Sequence, residues 1–150
     1  MRDKLNAALK QATLAQDKRR MATLRLINAA IKDRDIAARS GGREGVSDDE
    51  ILEILAKMIK QRKESAQTYE EAGRLDLAQQ EREETEIIAS FLPRQLDEEE
   101  MTSACREVVE DVGAESLKDM GKCMGALKER YAGRMDFGKA STLVKKILSE

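Results

Sequence analysis

The sequence predicts an all-α fold, on three observations. Aromatic residues make up 3% of the 150 and charged residues 37%. A core must therefore come from Leu, Ile, Met, Val and Ala, a composition that favours helices over sheet. Apolar residues recur at steps of three and four, and period-two alternation of β-branched residues is absent. Capping residues and glycines punctuate the chain at helix-length intervals, and there is a single proline, Pro93.

The elements follow in order. RDKLNAALKQATLAQ places Leu5, Ala8, Leu9 and Ala12 at helical spacing. Asp17 is the N-cap candidate for a second helix, DKRRMATLRLINAAIKDRDIAAR, with an apolar stripe of Met21, Leu24, Ile27 and Ile31. SGGREG, with Gly41, Gly42 and Gly45, breaks the chain. Ser47 and Glu50 form a capping box, and Val46 with Ile51 are placed as its hydrophobic staple. That third helix meets Gly73 as a C-terminal cap. Asp76 is read as the cap of a fourth helix, LAQQEREETEIIASF, which Pro93 ends. The short connection makes the third and fourth helices an antiparallel hairpin. Asp97 and Glu100 form a second box, with Leu96 and Met101 as staple, and this helix stops at Gly113. Ser116 and Asp119 open a sixth helix that stops at Gly133, and Asp136 caps the last, FGKASTLVKKIL. The expectation is seven helices in two domains: an N-terminal four-helix domain over 1–93 and a small three-helix domain over 94–150.

The near-neutral total hides segregation of charge. Residues 1–40 hold 10 basic and 4 acidic residues, net +6; residues 41–115 hold 9 and 21, net −12; residues 116–150 hold 8 and 4, net +4. Electrostatic arguments therefore apply region by region.

Few residues point to catalysis. There is no histidine, the usual acid–base group near neutral pH. Cys105 and Cys123 lack a zinc pattern and read as small apolar side chains on helix faces. The helix after GGREG opens with Asp48, Asp49 and Glu50, which repel a phosphate placed at that N-terminus. The acidic run Glu81, Glu83, Glu84 and Glu86 spreads around its helix and reads as a solvated face. Ion pairs to Lys57, Lys60, Arg62 and Lys63 are expected across the hairpin. No catalytic residue, metal site or cofactor is assigned. No signal peptide or membrane-spanning run is recognised, so a soluble cytoplasmic protein without membrane partners is expected.

Four stretches then stand out together: TLRLINAAIKDRDI, IKQRKESAQTYEEAGRLDLAQQEREE, FLPRQL and KDMGKCMGALK. In this order they resemble the GatB/YqeY family over nearly the whole chain. The resemblance implies two helical domains in series. It also implies kinship with the C-terminal tail of the GatB component of the glutamine-dependent aspartyl/glutamyl-tRNA amidotransferase, where the equivalent region is an appendage that grips tRNA. The amide-transferring site of that enzyme lies in an earlier domain, so carbon–nitrogen ligase activity with glutamine as amide donor is an inherited family label here. Expected partners are tRNA and an aminoacyl-tRNA synthetase or amidotransferase component. The rival expectations are a helical adaptor that docks on a protein, or an amidotransferase component active only in a complex.

The sixth helix carries Gly121 and Gly125 in its interior, each at a cost of about 0.5–1 kcal/mol relative to alanine. Leu117, Met120, Met124, Leu127 and Tyr131 are read as its core stripe, with the glycines beside the stripe and Lys118 and Lys122 just beyond. Two readings remain open: another helix packs close against the glycines, or a nucleic-acid backbone approaches there. Under the second, Lys118, Gly121, Lys122, Gly125, Lys128, Arg130, Arg134 and Lys139 are the candidate nucleic-acid-binding residues, and phosphate contact and RNA shape dominate over base readout.

Overall fold

The computed structural model describes all 150 residues, Met1–Glu150. It contains seven α-helices, one short 3-10 turn and no strand. The chain divides into two compact units, Met1–Leu92 and Pro93–Glu150.

The first unit holds α1 (Arg2–Leu14), α2 (Lys18–Ser40), α3 (Asp48–Glu71) and α4 (Leu75–Ala89). α1 stops earlier than the sequence suggests, because Gln16 takes a left-handed φ of 56° in the turn to α2. Asp17 caps α2, its side chain accepting the Arg20 N–H at 3.1 Å. The Ser47–Glu50 capping box forms in full, and Ile51 of the staple is buried beside Val46. α3 ends in a Schellman arrangement: Gly73 N–H donates to the Glu70 carbonyl and Arg74 N–H to that of Tyr69. Gly73 has φ +76° there, which a Cβ would strain. α4 then starts at Leu75 after Arg74, so Asp76 is a first-turn residue and no cap. α4 also ends at Ala89, short of Pro93, and the chain tightens after it, the Phe91 and Leu92 N–H groups donating to the Ile88 and Ala89 carbonyls.

The core of this unit is Leu5, Ala12, Leu24, Ile27, Ile31, Ile51, Ile54, Leu55, Met58, Ile88 and Phe91. α3 and α4 form its most extensive helix pair. The expected ion pair across them is present as Arg62–Glu84 at 3.1 Å, but Glu84 is buried, not solvated. A second buried carboxylate, Asp35, closes the unit's other end. Arg2 donates two hydrogen bonds to it, at 2.8 and 2.7 Å, and the Val46 N–H a third, at 2.9 Å. Residue 2, α2 and the loop before α3 are thereby clasped together.

The second unit holds α5 (Glu98–Asp111), the 3-10 turn Leu117–Asp119, α6 (Met120–Arg130) and α7 (Phe137–Leu148). The Asp97–Glu100 box caps α5, and Asp136 accepts from the Gly138 and Lys139 N–H groups at α7. α5 ends in the same Schellman pattern as α3, around Gly113 at φ +66°. The core is Met101, Ala104, Cys105, Val108, Cys123, Leu127, Met135, Ala140 and Val144. Gly133 lies beyond the helix it was expected to stop, since α6 ends at Arg130 and the Arg134 N–H folds back on the Tyr131 carbonyl.

Candidate nucleic-acid interface

α6 is anchored from within. Cys123 and Leu127 are fully buried, with Met120, Met124 and Tyr131 partly covered around them. Burial pushes both thiols, Cys105 and Cys123, above their ordinary pKa, which leaves them protonated and inert. Leu117 does not join this face: it is 48% exposed, and it lies in the 3-10 turn, where the helical wheel does not apply. The buried stripe is therefore centred on Cys123 and Leu127, turned by about 60° from the Met-centred stripe read in the sequence.

That rotation carries the glycines outward. Gly121 and Gly125 are exposed, and a Cβ built on either meets no atom within 4 Å. Within this unit no helix packs against them. At about 100° per residue, Lys128 flanks the glycines on one side and Lys122 on the other. Lys118 stands one turn before Lys122, in the 3-10 turn. All three lysines are exposed and none forms an ion pair. The result is a strip of bare backbone two glycines long, edged by ammonium groups.

The other expected residues sit differently. Arg130 lies on another side of α6 and donates to Asp111 at 2.7 Å. Arg134 lies in the α6–α7 loop, where its Nε donates to the Arg94 carbonyl at 3.2 Å and its guanidinium stands 5.9 Å from the Tyr131 ring centre. The Leu96 N–H completes the tie by donating to the Arg134 carbonyl at 2.8 Å. These two arginines hold the unit's own loops, so less of their charge is free for a ligand. Lys139 is exposed in the first turn of α7.

Sequence reasoning missed the acidic limits of the face. Asp119 is held below the ordinary carboxylate range, first by the Glu115 N–H and then by the Ser116 N–H, so it is an anion beside Lys122. Glu129 follows Gly125 by four residues and stands exposed on the glycine face. Asp119 was legible from its i, i+3 spacing to Lys122, and Glu129 from its i, i+4 spacing to Gly125. Between Lys118 and Arg130 the balance is four cations to two anions.

What this describes is an all-helical protein of two units, with a basic helix packed into its unit on one side and open along its glycine face. The chain belongs to the family described as Yqey-like protein, whose model matches residues 2–148. It is similar to "Altered inheritance of mitochondria protein 41, mitochondrial" of Clavispora lusitaniae, with 37% identity over 98 residues, 63% of this chain and 55% of that protein. The protein of the same name from Vanderwaltozyma polyspora is 29% identical over 123 residues, 77% of this chain and 64% of that one. The chain thus spans between about half and two thirds of the length of these relatives. Their names place those relatives in mitochondria, which is at odds with the cytoplasmic expectation drawn from the sequence. For this chain, no helix is long and apolar enough to cross a membrane.

Proposed function

We propose that this chain is a tRNA-binding accessory module and that α6 is its contact helix. The observation that carries the reading is the open glycine pair. Two interior glycines cost helix stability, and nothing in the chain uses the space they leave. A ligand whose backbone must approach closely, with charge opposite to the lysines, uses both. A phosphodiester chain has these properties, and the resemblance to a tRNA-gripping tail points the same way. Lys118, Lys122 and Lys128 contact phosphates, Gly121 and Gly125 admit the backbone, and Lys139 extends the basic surface on α7. Arg130 and Arg134 serve first to position α6 and its loop. With Tyr131 as the nearby aromatic and already under Arg134, recognition rests on backbone and shape, with little stacking.

We also propose that the two units are separate domains, 1–93 and 94–150, and that the tRNA is presented to an aminoacyl-tRNA synthetase or amidotransferase component. No chemical step is assigned to this chain. The reading is tested by tRNA gel shifts over a series of salt concentrations. Lys118→Ala/Lys122→Ala should weaken binding to all tRNAs alike and lower the slope of log K against log salt by roughly two. A salt-independent complex, or a double variant that binds like the parent, overturns it.

A further inference from the structure

α2 carries a pattern that its core does not use. Lys18, Arg25, Lys32 and Arg39 stand seven residues apart, and all four are exposed. Seven residues are close to two turns, so these cations form one row along about 30 Å of helix. Beside the row run Ala22, Leu26, Ala29, Asp33 and Ile36, at alternating steps of four and three. That is the spacing of a heptad seam, and the cations occupy its flanking g positions throughout. The seam is uncovered: Leu26 is 46% and Ile36 53% exposed. Leu24, Ile27 and Ile31 fill the opposite side of the same helix and are buried. α2 thus has two apolar stripes, one in the core and one facing outward.

The row is also unneutralised. Lys18, Arg25 and Lys32 form no ion pair; Arg39 donates its Nε to the Glu44 carbonyl at 3.2 Å and adds a weaker attraction to Asp35. Of the two acids on α2, Asp35 is committed to Arg2 and Asp33 stands within the seam.

We propose that this outward face docks an amphipathic helix of a partner protein, about three heptads long. Its apolar stripe would lie on Ala22, Leu26, Ala29 and Ile36, and its Asp or Glu residues, repeated every seven, would face the cation row. The alanines allow close approach, and Asp33 sets the register by meeting one basic residue of the partner. A phosphate backbone fits less well, since it gains nothing from Leu26 and Ile36 and is repelled by Asp33. A second copy of α2 fits less well too, because the opposite flank, Thr23, Ala30 and Ala37, brings no carboxylate to the row.

The test uses the full chain and two synthetic helical peptides that share a leucine seam and one lysine placed against Asp33. One carries Glu and the other Lys at the positions facing the row. The Glu peptide should bind and the Lys peptide should not. Arg25→Glu/Lys32→Glu should weaken the Glu peptide by about tenfold or more and let the Lys peptide bind instead. Ile36→Ala should weaken the Glu peptide without exchanging the preference. All three positions are exposed, so melting should stay near that of the parent; if the reversal unfolds the chain, Arg25→Ala/Lys32→Ala takes its place. Failure of the Glu peptide to bind, or equal binding of both peptides, overturns the proposal. So does charge reversal that reduces tRNA binding or splits a dimer while leaving the Glu peptide unaffected, since the face would then serve nucleic acid or a second copy.

Discussion

Gly45 and Gly125 show two opposite reasons for keeping a glycine. A Cβ on Gly45 would stand 2.9 Å from the Asp35 carboxylate, inside the clasp that joins Arg2 to α2 and Val46. A Cβ on Gly125 would meet nothing. The first glycine makes room for the chain itself, and the second leaves room that the chain does not fill. The charges around them divide the same way. At the clasp, the carboxylate is buried and its partners are all intramolecular. On α6, the lysines are exposed and unpaired. A charge paired inside a unit works for the fold, while lysines left without an ion pair are available to a ligand.

The largest loss of stability should come from Asp35→Ala, which leaves Arg2 and the Val46 N–H without their acceptor. Chemical denaturation of this variant should show a bigger fall than any single substitution on the α6 face. Gly45→Val should follow, costing about 1–3 kcal/mol by crowding Asp35. If Gly45→Val is neutral, the contrast between the two glycines is lost.

Acid sharpens the contrast. Asp35 is held well below the usual carboxylate range, first by Arg2 and then by the Val46 N–H. Glu50 and Glu100 are lowered to about 2, first by Arg43 and by Arg94 respectively. A carboxylate with a depressed folded-state pKa stabilises the fold above its unfolded value, near 4, and loses that effect as pH falls through the folded value. Stability should hold from neutrality down to about pH 5 and decline between about pH 4 and 2. Glu50→Gln/Glu100→Gln should flatten that decline, as followed by circular dichroism.

Smaller effects of opposite sign should appear where the chain leaves space. Gly121→Ala and Gly125→Ala should each raise stability by about 0.5–1 kcal/mol. Gln16→Gly, at the left-handed turn before α2, should add about 0.5 kcal/mol, as the strain relieved slightly exceeds the entropy lost.

The sequence showed much of the local structure, because caps and stripes are local signals. Asp17, Ser47, Asp97 and Asp136 cap the helices expected of them. Leu24, Ile27 and Ile31 face the core as their spacing requires. What the sequence hid is long-range. Asp35 reads as one more acid on a charged helix, and only its meeting with Arg2, 33 positions away, makes it buried. Arg130 and Arg134 read as free cations, and their partners Asp111 and Arg94 lie 19 and 40 positions off. The turn of the α6 stripe toward Cys123 was hidden for another reason. A methionine-rich stripe predicts a Met-centred core face, while packing against α5 and α7 favoured the smaller thiol. Asp76 competed as a cap with a Schellman turn that had already set where α4 starts.

The central claim is that the room at Gly125 belongs to a ligand and not to the fold. Gly125→Leu tests it most directly, with melting and tRNA affinity measured on the same preparation. Melting should hold or rise slightly, because leucine is the better helix former and its Cβ meets no atom there, while tRNA binding should fall by about tenfold or more. A variant that melts lower than the parent, or one that binds tRNA as well as the parent does, would contradict the account.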